Sequence, residues 1–124
     1  MGKDKVNVVK DKSFDFALKI IDLYKYLRYE KKEYVMSKQL LRSGTSIGAN
    51  IEEAQAGQSR RDFISKMAIA SKEARETLYW LKLLKYGGFI SKDDIINDSS
   101  ELIRLLTSIV KSSVKNNSKL SIQN

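Results

Sequence analysis

The sequence predicts an all-α protein, an antiparallel up-down-up-down bundle of four helices. Apolar residues recur every three or four positions over four long segments, which is the spacing of one face of an α-helix. The chain contains no proline, so nothing in its composition interrupts long helices. Nowhere do β-branched residues alternate between turn signals, as they do in strands. Long amphipathic helices joined by short turns favour the antiparallel bundle.

The first helix is expected to follow a short polar segment. Residues 1–12 are rich in lysine and are predicted to form a flexible basic arm. The helix is expected over residues 13–32, with Ser13 as its N-cap. Its apolar stripe consists of Phe16, Ile20, Leu23 and Leu27.

The second helix, expected over residues 34–57, contains a Gly/Ser-rich stretch that resembles a loop. Helical register nevertheless continues through it, because Leu40, Gly44 and Ile47 fall on one face. Each interior glycine costs roughly 1 kcal/mol relative to alanine. We therefore expect close helix–helix contact over the glycines to offset this cost, with hydrogen bonds between helices beside it. The packing signature consists of Arg42, Ser43, Gly44, Ser46, Gly48, Asn50 and Glu53.

Two capping boxes predict where the third and fourth helices begin. Ser59 is followed three residues later by Asp62, and Gly87 with Gly88 marks the end of the third helix. A second box begins at Ser91, and its helix is expected to end near residue 114. The bundle domain is thus predicted over residues 13–114, followed by a disordered polar tail over residues 115–124.

The third helix carries a second apolar face, formed by Ile69, Trp80 and Leu83. One face of this helix packs into the core, so the second face requires another partner. We interpret these three residues as a candidate interface between subunits of a homo-oligomer.

The composition favours a basic, non-catalytic protein in the cytoplasm. Lys and Arg number 23 against 15 acidic residues, which gives a net charge of +8 and favours polyanionic partners. The chain has no His and no Cys, so it lacks the commonest general base, the commonest metal ligand and any thiol nucleophile. We therefore predict no enzymatic activity, no metal and no cofactor. The carboxylates Glu73 and Glu76 are expected to form an internal ion pair or hydrogen bond, for which Arg42 is a candidate partner, in preference to a metal site.

Two groups of cations interleaved with tyrosines are candidates for nucleic-acid binding, because cations contact phosphates and rings stack on bases. The alternative is a solvated cationic surface with tyrosines covering the edge of the core. The first group lies within one stripe of the third helix and consists of Lys72, Arg75, Tyr79, Lys82 and Tyr86. The second lies at the end of the first helix and consists of Lys25, Arg28 and Lys32, among tyrosines.

Three segments resemble the four-helix bundle family of the 23S rRNA intervening-sequence proteins. Residues 37–54, SKQLLRSGTSIGANIEEA, are similar to the long central signature of that family. Residues 62–70 resemble the opening of its third helix, and residues 71–90 resemble the remainder. Glu53-Ala54 stands where many members have Glu-Gly. The resemblance covers most of residues 14–110.

The resemblance implies a bundle that assembles into a homopentameric ring, and it implies no assigned biochemical activity. A more distant similarity is to the accessory variability protein of diversity-generating retroelements, a basic pentamer that binds a reverse transcriptase and nucleic acid. Two functions therefore stay open. One is nucleic-acid binding, to RNA or DNA, by a basic oligomer. The other is a protein-interaction scaffold, such as an accessory subunit of a reverse transcriptase.

Overall fold

The computed structural model of the protein describes residues 4–123, with side chains for residues 4–118, and it is a four-helix bundle. The helices are α1 (Lys5–Lys25), α2 (Met36–Gln55), α3 (Arg60–Tyr86) and α4 (Asp94–Gln123). A π-helical turn, Tyr26–Glu30, continues α1. Within residues 4–123 no helix combines the length and the apolar character that crossing a membrane requires. The all-α prediction is confirmed.

The helices run alternately up and down, and each packs against its two neighbours in the chain order, with α4 closing against α1. Ion pairs between α1 and α4 show the antiparallel direction. Lys12 pairs with Glu101 at 2.9 Å, while Lys19, further along α1, pairs with Asp98, earlier in α4, at 2.8 Å. The connections α1–α2 and α3–α4 therefore lie at the same end of the bundle.

The core lies along the bundle axis and draws fully buried side chains from every helix. Of the predicted stripe, Phe16 and Ile20 of α1 and Leu27 of the π-helical turn are buried, whereas Leu23 is half-buried. The third helix contributes small residues, Ala70 and Ala74, which let its neighbours approach closely. The remaining buried apolar residues are Val9, Leu40, Ile47, Ile51, Ala54, Met67, Leu81, Leu84, Leu102, Leu106 and Ile109.

The two interior glycines of α2 mark its closest approach to α1. A Cβ on Gly44 would lie 2.8 and 2.9 Å from two carbons of the buried Ile20 side chain. A Cβ on Gly48 would lie 3.3 Å from the Ser13 hydroxyl oxygen. Ile20 thus occupies the space that a side chain at position 44 would need. The predicted close packing over the glycines is confirmed.

The polar residues of α2 behave differently from the expectation. Ser43 does bridge helices, since its hydroxyl accepts a hydrogen bond from Thr77 of α3 at 2.9 Å. Glu53 also reaches α3, where it pairs with Lys66 at 2.9 Å. Ser46 and Asn50 instead donate to carbonyls four residues earlier in their own helix. These two side chains lie at the half-exposed margin of α2, where their own backbone is the nearest acceptor.

The first helix begins eight residues before its expected start, and the expectation of a flexible arm is wrong for residues 5–12. Asp4 caps it by accepting from the Asn7 backbone N–H at 2.9 Å. Val9 is fully buried, and Lys5 donates to Ser108 of α4 at 3.0 Å. Burial of Val9 extends the stripe of Ser13 and Phe16 by one turn. Residues 1–3 of the predicted arm lie outside the described residues.

The other helix boundaries show which caps form. Ser59 caps α3 by accepting from the Asp62 N–H at 3.1 Å, and α3 ends at Gly87, as predicted. The predicted box at Ser91 does not form, because α4 begins only at Asp94. At its other end α4 continues past residue 114 to Gln123 in one helix, so the predicted disordered tail is wrong for residues 115–123. Residue 124 is not described.

Candidate nucleic-acid interface

The helix-three stripe, Lys72, Arg75, Tyr79, Lys82 and Tyr86, lies on the solvent side of α3. All five side chains are exposed, because they face away from the buried positions of the same helix. Arg75 donates to the Thr107 hydroxyl of α4 at 3.3 Å, which orients its guanidinium along the α3–α4 edge. Lys82 forms no ion pair with any described residue. The stripe is therefore an accessible row of cations with two rings.

The helix-one cluster, Lys25, Arg28 and Lys32, lies where α1 unwinds into the π-helical turn. Leu27 anchors that turn in the core, which leaves its neighbours on the surface. The Arg28 guanidinium lies 5.9 Å from the Tyr29 ring centre and 5.3 Å from that of Tyr34. These distances fit cation–π contacts. The arginine is thereby held in place without an acidic partner, so its charge faces solvent uncompensated.

A buried carboxylate, which the sequence reading did not single out, holds the turn that carries this cluster. Glu33 is 8% exposed, and its oxygens accept the backbone N–H groups of Val35, Met36 and Ser37 at 3.1, 2.9 and 2.7 Å. It thus satisfies the unpaired donors at the start of α2. Burial by itself would raise the pKa of Glu33, but these hydrogen bonds outweigh it and hold that pKa below its ordinary value.

The same turn contains a strained backbone position. Lys32 has a φ of 56°, the left-handed conformation that side chains other than glycine adopt reluctantly. The Glu33 N–H donates to the Leu27 carbonyl at 2.9 Å, and the Ser37 hydroxyl donates to the Glu33 carbonyl at 2.8 Å. These bonds fix the turn tightly enough to hold Lys32 in its conformation.

The structure brings the helix-one cluster next to the end of α3 and its connection to α4. A pocket of about 440 Å³ joins the two, with Leu23 and Tyr26 on one side and Ile90 to Ile95 on the other. Lys85 and Tyr86, the last two residues of α3, lie at the same end of the bundle, and Lys85 forms an ion pair with Asp93. We call the surface formed by residues 25–35 and 85–95 the basic end. Since α3 rises about 1.5 Å per residue, Lys72 of the helix-three stripe lies about 20 Å away from it.

The ion pairs among the described residues lie mostly along the sides of the bundle. Lys25, Lys32 and Lys92 form no ion pair within residues 4–118. Of the acids near them, Glu33 is occupied by backbone groups and Asp93 by Lys85, while Glu30 and Asp94 are exposed. The ion pairs along the sides are Lys10–Glu52, Lys12–Glu101, Lys19–Asp98, Lys66–Glu53 and Arg42 with Glu73 and Glu76.

The predicted pairing of Arg42 with two glutamates of α3 is confirmed. Its guanidinium contacts Glu73 at 3.2 Å and also Glu76. The hydrogen bond to Glu76 is the main reason that the pKa of Arg42 is raised. Glu76 also accepts from the Trp80 indole N–H at 2.9 Å, and this bond, followed by the contact with Arg42, lowers the pKa of Glu76. Among the described residues, no three His, Cys, Asp or Glu side chains are placed to share a metal ion.

Apolar side chains are exposed on both sides of α2. On the α3 side, Ile69 and Leu83 are 38% and 39% exposed, and Trp80 beside them is half-buried. On the α1 side lies a groove that sequence reasoning missed, where Phe14 and Leu18 are 64% and 49% exposed. The signal was available, since both side chains fall outside the register of the core stripe. The two patches are chemically similar but occupy different faces.

Two comparisons with known proteins find relatives of this chain. The family described as 23S rRNA-intervening sequence protein matches residues 5–111. The crystal structure of a protein of unknown function from the S23 ribosomal protein family of Bacteroides thetaiotaomicron is also similar. The two sequences are 59% identical, and the aligned region covers 87% of this chain and 99% of the Bacteroides chain, with a TM-score of 0.85. Among curated proteins, none matches the chain.

The family match spans nearly all of the bundle, from the capped start of α1 into the second half of α4. It includes the central signature in α2, with both close-packed glycines and the Arg42 ion pair. The family match thus agrees with the resemblance seen in the sequence and with the four-helix fold of the structure. The chain belongs to the family of 23S rRNA-intervening sequence proteins.

Proposed function

We propose that this protein is a non-catalytic, basic, oligomeric bundle that binds nucleic acid through exposed Lys, Arg and Tyr side chains. The binding surfaces are the helix-three stripe and the helix-one cluster. The observation that carries the proposal is the distribution of charge. Lys12 and Lys19 on the bundle sides are paired with acids, whereas the cations of the two surfaces form no ion pair with a described residue. Other cations, such as Arg104, also lack an ion pair within residues 4–118, but those of the two surfaces lie among exposed tyrosines.

A polyanion gains most from cations that no carboxylate already neutralises. Binding to phosphates releases counterions from the nucleic acid, and each contacted phosphate adds to that release. Lys72, Arg75 and Lys82 lie on successive turns of one helix side, so a phosphate backbone running along α3 contacts them in order. The tyrosines between them add surfaces for contact with sugars or bases.

The proposed oligomer has support in the two apolar patches beside α2. A surface that pairs with a different surface on the next copy makes a head-to-tail contact, and such contacts close into rings when the rotation allows it. The patch of Ile69, Trp80 and Leu83 and the groove of Phe14 and Leu18 are two such different surfaces. A homopentameric ring would repeat the basic surfaces around its axis and raise the affinity for a long polyanion.

The experiment that tests the function is binding of labelled RNA and DNA to the nuclease-treated protein across a salt series. We expect the affinity to fall steeply with salt, with a slope that reflects the number of contacted phosphates. The triple variant Lys72→Glu, Arg75→Glu, Lys82→Glu should lose binding while it keeps its helical content. Absence of binding by the wild-type protein at low salt would refute the proposal.

A matched control separates the site from the total charge. The triple variant Arg60→Glu, Arg61→Glu, Lys115→Glu makes the same change in net charge at the opposite end of the bundle, on exposed side chains. Glutamates at positions 60 and 61 also suit the first turn of α3. This control should retain most of the affinity. An equal loss in both triple variants would show that total charge, not the helix-three stripe, determines binding.

A further inference from the structure

We propose that the basic end binds unpaired nucleotides, with bases stacking on its exposed tyrosines and one base entering the pocket beside Tyr26. This inference rests on the proposed nucleic-acid binding and names the form of nucleic acid that this site takes. The helix-three stripe, a straight row of cations on one helix, suits phosphates of single strands and duplexes alike. The basic end shares Tyr86 with that stripe but differs from it in the number and surroundings of its rings.

The tyrosine rings of the basic end are open to solvent. Tyr26, Tyr29, Tyr34 and Tyr86 are 42%, 62%, 47% and 84% exposed. Their apolar faces gain from being covered, and a nucleobase covers such a face by stacking. In a duplex the bases are already stacked on each other, so their faces are not available to side chains. The rings therefore favour bases that are not paired.

Cations adjoin these rings and place phosphate-binding groups next to the stacking surfaces. Arg28 lies against the rings of Tyr29 and Tyr34, and the Lys31 ammonium lies 5.8 Å from the centre of the Tyr26 ring. Each nucleotide carries one flat base and one phosphate. A surface in which rings and cations lie side by side over two segments of chain matches that repeat.

The pocket beside Tyr26 has the lining that a single base requires. Leu23, Ile90 and Ile95 supply apolar walls, and Ser91 and Asp94 supply polar atoms for the edge of a base. Lys92 lines the pocket, forms no ion pair with a described residue and is free to contact a phosphate. Its volume of about 440 Å³ lies within the usual size of small-ligand sites.

The strained backbone of Lys32 is a further argument for a binding site at the basic end. Position 32 has a left-handed backbone, for which glycine is the favoured residue, yet a lysine occupies it. Lys32 is exposed and lies in the chain between Tyr29 and Tyr34. Strain that the rest of the fold must offset is typical of binding sites.

The test compares a labelled single-stranded oligonucleotide of about 12 nucleotides with the duplex that it forms with its complement. Fluorescence anisotropy gives the affinity of the full-length protein for each. The variant Tyr26→Ala, Tyr29→Ala, Tyr86→Ala removes three rings without a change in charge. The matched variant with phenylalanine at the same positions keeps the rings.

We expect the alanine variant to lose roughly 10-fold or more of its single-strand affinity, since stacking contributes strongly at each base. Its duplex affinity should fall much less, and the phenylalanine variant should bind single strands like the wild type. Equal wild-type affinity for both forms, with no effect of the alanine variant, would overturn the inference and leave the proposed function standing. No binding of either form by the wild type would refute both.

Discussion

Gly44→Ala should destabilise the bundle, although alanine is the better helix former. The new Cβ would lie 2.8 and 2.9 Å from the two γ-carbons of Ile20, and the Ile20 side chain is fully buried. Overpacking of a core costs about 1–3 kcal/mol. The gain in helix propensity returns about 1 kcal/mol. With two contacts this short we expect a net loss in the free energy of unfolding of about 1–2 kcal/mol.

The same reasoning predicts a change of sign when the obstructing side chain is removed. Ile20→Ala alone should cost about 2–5 kcal/mol, because it opens a cavity. In that background Gly44→Ala meets no γ-carbons and should stabilise the protein by about 1 kcal/mol. The double-mutant cycle should therefore give a coupling energy of about 2–3 kcal/mol between positions 20 and 44.

The assay is equilibrium unfolding in denaturant at one fixed protein concentration, so that assembly affects every variant alike. Gly48→Ala is the matched control, because its shortest contact would be 3.3 Å, to the Ser13 hydroxyl oxygen, and its other contacts with Ser13 are at ordinary distances of 3.7 Å. That variant should be within about 1 kcal/mol of the wild type. If Gly44→Ala is as stable as Gly48→Ala, or if the cycle gives no coupling, the close-packing explanation of the glycines is wrong.

Three further predictions concern the turn and the assembly. Glu33→Gln should cost about 1.5–3 kcal/mol at neutral pH, the range for hydrogen bonds to a charged group. The pKa of Glu33 is lowered from 4.5, so the difference in unfolding free energy between the wild type and this variant should be complete above pH 4.5 and shrink as the pH falls below it. Unfolding measured over a range of pH would contradict this if the difference stayed constant. Lys32→Gly should raise the unfolding free energy by about 0.5–1 kcal/mol and weaken nucleic-acid binding, and a loss of stability would show that position 32 is not strained. Leu83→Glu should reduce the mass measured by light scattering to that of a single chain, and an unchanged mass would exclude this patch from the interface.

The helices themselves could be predicted because their determinants are local. The spacing of Phe16 and Ile20, and the Ser59 cap, act within one or two turns of chain. The interior glycines and the Arg42 partners were also predictable, because a glycine costs stability unless something packs on it and because Glu73 and Glu76 share one face. For the candidate site, the sequence identified which cations and tyrosines share a helix face.

The rest required contacts between distant segments. The start of α1 depends on whether Val9 is buried in the core, which the packing of the other helices decides. The role of Glu33 depends on a turn that brings its carboxylate back onto three N–H groups. The basic end combines segments about 60 residues apart in the chain, and its pocket exists only because α1 and α4 are antiparallel neighbours. Sequence periodicity determined the faces of each helix, whereas long-range packing alone decided which faces meet and which charges remain exposed together.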